Sequence, residues 1–303
     1  MKKRQKYKGS LYAIRGIEYV QKGNYAKAVS FFNKAISLKN KDAYVLRGMA
    51  YSDIGQTKKA ISDFEQAVRF NPKDYKAYSY LGMNYGKSGH HRKAISALNK
   101  SIYIYSKYAY AYLCRGVTYE KGRNFKKAIK DYTEVTKLDK KDAGVYYNRG
   151  NVYLAMKQYE KAIKDYSKLI KTGKRNTDRI NAYNNRGVCY TRIKQFKKAT
   201  LDCNKVISLE PKNIGNYWNR AFNYFAAGQF RKAIPDYVRV LKFEPENLDA
   251  YYRLGESYHK LGDIKKARYI MRKGLMKSPT DKDFKNYLKK LKDIVDKKIN
   301  EAK

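Results

Sequence analysis

The stretch Ala143–Leu169, with the sequence AGVYYNRGNVYLAMKQYEKAIKDYSKL, sets the pattern that the rest of the chain repeats. When its first residue is counted as slot 1, small and aromatic residues fall at slots 4, 8, 11, 20 and 24, which are Tyr146, Gly150, Tyr153, Ala162 and Tyr166. Slots 4, 8 and 11 share one face of a first helix, and slots 20 and 24 share one face of a second helix. Because slots 8 and 20 hold small residues, the two helices are predicted to pack closely there.

The same frame recurs along the chain, at successive intervals of 32, 34, 34, 34, 37, 34 and 34 residues. Slot 8 is Gly16, Gly48, Gly82, Gly116, Gly150, Gly187, Ala221 and Gly255. Slot 20 is alanine in every repeat: Ala28, Ala60, Ala94, Ala128, Ala162, Ala199, Ala233 and Ala267. Tyrosine occupies slots 4 and 11 throughout, and proline closes four repeats at slot 32, where a helix cannot continue unbroken. The chain is therefore predicted to contain eight helix pairs, repeats one to eight.

This order of aromatic, glycine, tyrosine, alanine and proline positions resembles the tetratricopeptide repeat (TPR) family over residues 9–281. The resemblance implies an all-α fold, a right-handed superhelical solenoid of helix-turn-helix repeats. First helices would line a concave groove, and second helices would form the outer face. Residues 1–8 are predicted to be a basic leader, and residues 282–303 a helix that caps the last repeat. Such a resemblance specifies fold more closely than function.

The charge balance narrows the class of partner. The chain has 68 Lys and Arg against 27 Asp and Glu, a formal net charge of +41. General compositional bias towards lysine, as in an AT-rich genome, is one explanation, but it would also enrich glutamate, which is scarce here. The excess therefore points to an acidic protein partner or to nucleic acid.

The cysteines and the hydropathy of the sequence indicate in which cellular compartment the protein is expected. Cys114, Cys189 and Cys203 are an odd number without CxxC spacing, which predicts reduced, buried thiols in an intracellular, cytoplasmic protein. No run reaches the roughly 18 apolar residues of a membrane span, so no membrane partner is predicted.

The sequence contains no recognisable arrangement of catalytic or cofactor-binding residues. The three histidines have no nucleophile or metal-ligand set at a recognisable spacing, and no GxxxxGK or GxGxxG phosphate-binding loop occurs. The sequence therefore predicts a protein that is not an enzyme and holds neither a cofactor nor a metal ion.

A correlation between slots 7 and 23 predicts ion pairs inside the repeats. Wherever slot 23 is aspartate, slot 7 is arginine: Arg47 with Asp63, Arg115 with Asp131, Arg149 with Asp165, Arg186 with Asp202, and Arg220 with Asp236. Where slot 7 is Leu81 or Leu254, slot 23 is Ala97 or Ile270. Pairing across repeats would break this agreement, so each salt bridge is predicted to join the two helices of one repeat.

The groove-facing slots 5, 6 and 9 change character from repeat five onwards, where they become aromatic and rich in amides. Peptide-binding residues are predicted at Tyr147, Asn148, Asn151, Asn184, Asn185, Trp218, Asn219, Phe222, Tyr252 and Arg253. Exposed rings with neighbouring amides suit an extended peptide, because side chains find apolar contacts while the amides bond its backbone. The alternative is that some of these rings pack between adjacent repeats.

A basic row lies on the predicted outer face. Slot 19 is lysine in all repeats, and the row comprises Lys27, Lys59, Lys93, Lys127, Lys161, Lys198, Lys232 and Lys266. Such a ridge would suit a phosphate backbone, although lysine at this slot is also compatible with a merely solvated face. The leading prediction is a scaffold that binds an extended or acidic protein segment in the groove. The alternatives are nucleic-acid or ribonucleoprotein binding through the ridge, and a purely architectural subunit of a larger assembly.

Overall fold

The computed structural model describes residues 2–301, with the side chains of residues 7–297 and 300. The described residues form helices and no strand, and they divide into two compact units, residues 1–152 and 153–303. Met1 of the predicted leader and residues 302–303 of the predicted cap lie outside the described residues. The helices are α1 (Lys2–Gln21), α2 (Tyr25–Ser37), α3 (Ala43–Asp53), α4 (Thr57–Phe70), α5 (Tyr75–Lys87), α6 (His91–Ile104), α7 (Ala109–Lys121), α8 (Phe125–Leu138), α9 (Gly144–Ala155), α10 (Tyr159–Thr172), α11 (Asn176–Arg192), α12 (Phe196–Leu209), α13 (Ile214–Ala226), α14 (Phe230–Phe243), α15 (Leu248–Lys260), α16 (Ile264–Lys277) and α17 (Lys282–Glu301).

The helices follow the predicted frame, so the all-α helix-turn-helix fold is confirmed. Odd-numbered helices α1 to α15 are the first helices of the repeats, and even-numbered helices α2 to α16 are the second helices. The predicted leader, from Lys2 onwards, is the start of α1. The right-handed sense of the superhelix, which the resemblance implied, stays a prediction.

The turn between the helices of each repeat depends on one left-handed residue at slot 15. Glycine takes this position in five repeats, with φ between 71° and 81°. In the other three repeats it is Arg123, Lys157 or Lys194, with φ of 57° to 59°. Glycine adopts this conformation without steric cost, whereas a side chain there is uncommon. The turn geometry is therefore constant although its residue is not.

Close packing inside each pair depends on slots 8, 20 and 24. All slot-20 alanines are fully buried, at 0% exposure. At slot 8, a Cβ atom on Gly116 would stand 2.7 Å from Cε1 of Tyr132, the slot-24 residue of the same repeat. A Cβ on Gly48 would likewise stand 2.9 Å from Cε1 of Phe64. The bulky slot-24 side chain therefore occupies the space that the glycine leaves, and the helices approach closely.

The structure confirms the predicted ion pairs in Arg47–Asp63, Arg115–Asp131, Arg186–Asp202 and Arg220–Asp236. In each pair Nη2 of the arginine lies 2.7 Å from Oδ1 of the aspartate, and Nε donates to Oδ2 at 2.7 to 2.9 Å. The aspartates are at most 5% exposed. Such two-point contacts fix geometry as well as charge. Arg149 and Asp165 belong to different units, and their pairing stays a prediction.

Each of these arginines also reaches back to the preceding repeat, a contact that the slot correlation did not predict. Nη1 donates to a polar side chain at slot 25 of that repeat: Arg47 to Asn33, Arg115 to Asn99, Arg149 to Thr133, Arg186 to Ser167 and Arg220 to Asn204, at 2.5 to 3.0 Å. Where slot 7 is leucine, the preceding slot 25 is Glu65 or Val238 instead. One guanidinium thus joins two neighbouring repeats.

The last helix, α17, packs against the eighth repeat. Phe284 and Leu291 of α17 are buried in one cluster with Tyr251 and Met271. A Cβ on Gly274 would stand 3.1 Å from Cδ1 of Phe284, so α16 and α17 approach as closely as the helices of a repeat do. The role of α17 as a cap stays a prediction.

Removing one partner of an ion pair is expected to cost more than removing both. We expect Arg115→Leu to lower the free energy of unfolding by about 3 kcal/mol, because Asp131, 2% exposed, is left as a buried carboxylate without its cation. The double change Arg115→Leu with Asp131→Ala reproduces the Leu81 and Ala97 pair of repeat three, and it is expected to recover part of that loss. Urea denaturation of both variants measures the difference. A double variant no more stable than Arg115→Leu would refute this account.

Candidate functional site

The predicted groove residues divide between the two units. Tyr147, Asn148 and Asn151 lie on α9 in unit 1, where all three are half-buried. The other predicted groove residues lie on α11, α13 and α15 in unit 2. Seven of the ten predicted groove residues thus lie in unit 2.

A cleft of about 510 Å³ lies between α11 and α13 in unit 2. Four of the predicted groove residues line it, namely Asn184, Trp218, Asn219 and Phe222. Sequence reasoning missed the rest of the lining, which includes Gly187, Val188, Thr191, Arg192, Lys194, Phe196, Cys203, Asn223 and Ala226. The predicted residues thus mark the cleft's outer part, and its floor was not anticipated.

Of the predicted residues outside the lining, Tyr252 and Arg253 on α15 have other contacts. The Tyr252 ring packs edge-on against Phe284 and Tyr287 of α17, with centroids 5.7 and 5.4 Å apart. Arg253 stands over the Phe225 ring at 5.1 Å and pairs with Glu256 at 2.9 Å. Asn185 is half-buried on α11 and is not part of the cleft lining. The Tyr252 ring thus packs between α15 and α17, and its role in the groove stays a prediction.

Aromatic side chains form one wall of the cleft. Trp218 is half-buried, and its indole meets the buried ring of Tyr237 edge-on at 5.4 Å. Phe222, one turn further along α13, is 39% exposed, and Val188 on α11 is 45% exposed. The indole is thus in contact with the buried Tyr237 ring, while Phe222 and Val188 beside it are exposed. Such exposed rings on a rigid helix are typical of binding surfaces.

The floor of the cleft is polar but internally hydrogen-bonded. Asn223, 4% exposed, donates from Nδ2 to Sγ of Cys203 at 3.2 Å, and its Oδ1 accepts a hydrogen bond from the Thr191 hydroxyl. Burial raises the pKa of the Cys203 thiol to about 11, so the sulfur stays protonated at neutral pH. The floor therefore offers shape and weak polarity rather than a nucleophile.

The cysteines otherwise match the expectation of buried, unpaired thiols. Cys114, Cys189 and Cys203 are all free and buried. Burial raises the pKa of Cys114 to about 11 and that of Cys189 to about 12. Among the described residues there is no group of three or more His, Cys, Asp or Glu side chains placed to hold a metal ion.

Slot 24 explains why the cleft opens in repeat six. In that repeat the slot-24 residue is Cys203, where the other repeats carry an aromatic ring, leucine or methionine. A Cβ on Gly187 would meet nothing closer than Cβ of Asp202 at 3.7 Å. Because both slots of the pair are small, the space that a ring fills elsewhere is left open. The signal was present in the sequence as a cysteine at slot 24.

The mouth of the cleft carries positive charge. Arg192 and Lys194 line it, and both side chains are exposed. Neither forms an ion pair with another described residue. Two uncompensated cations beside an apolar opening favour an anionic group in whatever binds there.

The slot-19 lysines have a structural contact that the sequence pattern did not predict. Each ammonium stands over the slot-11 tyrosine ring of its own repeat, at 5.4 to 5.9 Å: Lys27 on Tyr19, Lys59 on Tyr51, Lys93 on Tyr85, Lys127 on Tyr119, Lys161 on Tyr153, Lys198 on Tyr190, Lys232 on Tyr224 and Lys266 on Tyr258. Exposed cation–π contacts of this kind contribute about 0.5–1 kcal/mol each. All the lysines remain exposed, so their charge is still available to a partner.

Family models for the tetratricopeptide repeat match most of the chain. One TPR repeat model matches residues 124–157 and 223–262, and a second tetratricopeptide repeat model matches residues 143–172 and 180–213. A third matches residues 9–42, 41–74, 75–108 and 248–280. No curated protein sequence matches the chain. Within residues 2–301, no helix combines the length and apolar character that crossing a membrane requires.

Several solved structures are similar in fold. YrrB, described as a TPR protein with an unusual peptide-binding site, is 21% identical, with a TM-score of 0.56 over 65% of this chain and 99% of its own. A tetratricopeptide repeat protein from Parabacteroides merdae ATCC 43184 is 19% identical, with a TM-score of 0.55 over 83% and 98%. PilF of Pseudomonas aeruginosa is 13% identical, with a TM-score of 0.60 over 75% and 98%. At these identities the likeness shows the fold alone.

The open space at slot 24 predicts opposite responses to one substitution in two repeats. Gly187→Ala is expected to be neutral or to stabilise by up to about 1 kcal/mol, because alanine favours helix over glycine and its methyl group meets no close neighbour. Gly116→Ala is expected to destabilise by about 1–3 kcal/mol, because its methyl group would collide with the Tyr132 ring. Thermal unfolding of both variants tests this. Equal destabilisation would mean that repeat six has no such space.

Proposed function

The chain belongs to the tetratricopeptide repeat family, and we propose that it is a non-enzymatic scaffold whose unit 2 holds an extended, acidic segment of a partner protein. The observation that carries this proposal is the cleft between α11 and α13, where Trp218 and Phe222 stand beside Asn184 and Asn219. These four residues project from two successive first helices, which the family resemblance assigns to the groove. The bound segment would run across those helices.

The composition of the cleft fits a peptide better than a small polar substrate. Aromatic side chains supply large contact areas at little entropic cost, and partly exposed rings are the usual centres of binding energy. Asparagine side chains have both donors and acceptors, so they can bond the backbone of an extended segment irrespective of its sequence. One of the structures similar in fold is itself described as having a peptide-binding site.

Charge supports an acidic partner. The net charge of +41 gives the molecule a positive field, and Arg192 and Lys194 concentrate that field at the mouth of the cleft. Opposite charge accelerates encounter and fixes orientation more than it adds affinity. An acidic segment would therefore associate rapidly, and its affinity would come mainly from contacts with the aromatic side chains of the cleft.

The second candidate function is binding of nucleic acid through the slot-19 row. The observation that favours it is that every lysine of the row is exposed and held in place over a tyrosine ring. A row of fixed cations suits a phosphate backbone, and its affinity would fall steeply with salt. The same tyrosines lie beneath the lysines, so they are poorly placed to stack on bases.

Peptides selected from a random dodecamer display library on the purified chain test the leading proposal. Trp218 is the only tryptophan, so a peptide that enters the cleft is expected to change the intrinsic fluorescence directly. By anisotropy of a labelled peptide, Trp218→Ala and Phe222→Ala are each expected to weaken binding roughly thirtyfold, as removal of a central aromatic does. Circular dichroism establishes that both variants are folded.

Two controls separate the candidate functions. Tyr103→Ala removes an exposed ring in unit 1, 83% exposed, and is expected to leave peptide binding unchanged. Replacing Lys198, Lys232 and Lys266 by Glu is expected to abolish binding of a labelled random-sequence RNA while leaving the fluorescence response to peptide in place. RNA binding that persists at physiological salt and exceeds peptide binding, with no effect of Trp218→Ala on either, would replace the leading proposal by the second.

A further inference from the structure

Repeat six lacks a side chain that every other repeat supplies. The slot-24 residues are Phe32, Phe64, Leu98, Tyr132, Tyr166, Tyr237 and Met271 in the other repeats, and Cys203 in repeat six. Those bulky side chains are at most 1% exposed. Five of them lie directly against the place where a Cβ on the slot-8 glycine of their own repeat would stand, namely Phe32, Phe64, Leu98, Tyr132 and Met271. Cys203 is much smaller, and slot 8 remains a glycine, so nothing in the repeat compensates for the lost volume.

The missing volume has become an open cleft rather than a closed void. The Cys203 side chain does not come within 4 Å of the place where a methyl group on Gly187 would stand, and the atoms nearest to that place, Cβ of Asp202 and the carbonyl oxygen of Ala199, are in ordinary van der Waals contact at 3.7 and 3.8 Å. The cleft of about 510 Å³ reaches from Gly187 and Cys203 to the exposed side chains of Val188 and Phe222. Its inner end is thus at the site of the absent ring, and its outer end is open to solvent.

The walls are suited to an aromatic guest. Trp218, Phe222 and Phe196 surround the opening, and ring pairs prefer the edge-on and offset contacts that such an arrangement offers. At the floor, the hydrogen bonds from Thr191 to Asn223 and from Asn223 to Cys203 already satisfy the buried polar groups. A guest without polar atoms at its tip therefore leaves no buried donor or acceptor without a partner.

We propose that this cleft, which we name the slot-24 socket, takes one aromatic side chain of the bound partner segment. The proposal rests on the proposed function and specifies the anchor of that segment. The guest ring stands where Phe32 or Tyr132 stands in its own repeat, beside the slot-8 glycine. The partner thereby completes the packing of repeat six from outside.

Charge at the socket mouth specifies a residue near the anchor. Arg192 and Lys194 are exposed and lie at the opening, on the last turn of α11 and in the turn that follows it. In an extended segment, the side chain two positions from the buried ring points to the same face and would emerge beside these cations. The preferred guest is therefore an aromatic residue with aspartate or glutamate two positions away.

The socket is tested first with a probe that needs no knowledge of the partner. N-acetyl-phenylalaninamide is expected to bind the full chain weakly and to change Trp218 fluorescence, whereas N-acetyl-alaninamide is expected to have no effect at the same concentration. Cys203→Phe restores the ring found at slot 24 in other repeats, so it is expected to keep the fold, to raise or preserve the unfolding temperature, and to abolish the response. Leu98→Phe introduces the same ring at slot 24 of repeat three, and it is the matched control that should leave the response intact.

The peptide arm needs no variant of the chain. In a selected peptide whose binding depends on Trp218, replacing the aromatic anchor by alanine is expected to weaken binding roughly thirtyfold, and replacing the acidic residue two positions away by the corresponding amide is expected to weaken binding and flatten the salt dependence. Excess N-acetyl-phenylalaninamide is expected to compete with the peptide. This arm remains decisive if Cys203→Phe does not fold.

The two proposals fail in different ways. If selected peptides require Trp218 but are insensitive to Cys203→Phe and to loss of their aromatic residues, the socket is wrong and the groove proposal stands. If the phenylalanine amide binds and Cys203→Phe abolishes that binding, yet no peptide competes, the groove proposal fails and so does the assignment of the guest ring to a protein segment. If the amide gives no response, or an equal response in Cys203→Phe, the socket does not exist.

Discussion

The fold depends on one contact that recurs along the chain and that repeat six lacks, between a small residue at slot 8 and a bulky side chain at slot 24. The contact works because the slot-8 residue leaves room against which the side chain from the second helix can pack, as Tyr132 does beside Gly116. The buried slot-20 alanine lets the same two helices approach on either side of it. Each repeat buries its apolar face against its neighbours, and the fold has no single central core. A substitution at this contact is therefore expected to alter the stability of its own repeat and of the adjacent interfaces.

The high positive charge is partly used inside the structure. Five arginines at slot 7 contact the preceding repeat, and in four of them the same guanidinium also binds an aspartate within its own repeat. The slot-19 lysines are exposed, and each also forms a cation–π contact with a tyrosine ring of its own repeat. A net charge of +41 therefore overstates how much charge was selected for a partner. The cations at the mouth of the cleft, which lack ion-pair partners among the described residues, carry the more specific signal.

The sequence was sufficient for the fold because the packing contact recurs at a regular period. The helix pairs, the close packing at the slot-20 alanines and four of the five predicted Arg–Asp pairs followed from slot positions within one repeat. The hydrogen bonds from the slot-7 arginines to slot 25 of the preceding repeat were not predicted, because only slots within one repeat were compared. Only four of the thirteen residues that line the cleft were predicted: outward-facing slots identified residues such as Trp218 and Phe222, whereas Cys203 was interpreted as an ordinary buried thiol. The small Cys203 side chain leaves a space beside Gly187. Whether such a space stays open depends on how far the neighbouring helices move to fill it, and the sequence does not give that movement.

The departures from the frame are informative because they are not all alike. At repeat seven, Ala221 replaces the slot-8 glycine, and Tyr237 at slot 24 is still fully buried. The two helices of that repeat therefore accommodate both side chains without leaving an open cleft. At repeat three, leucine replaces the slot-24 ring, and Leu98 still fills its place at 0% exposure. Only the exchange at repeat six leaves a side chain as small as cysteine at slot 24 while keeping glycine at slot 8, and it lies beside the single tryptophan of the chain. A local rule that is broken without internal compensation is expected at functional or strained sites. In repeat six the compensation has to come from outside, and the chemistry around the gap specifies an aromatic ring with a negative charge beside it.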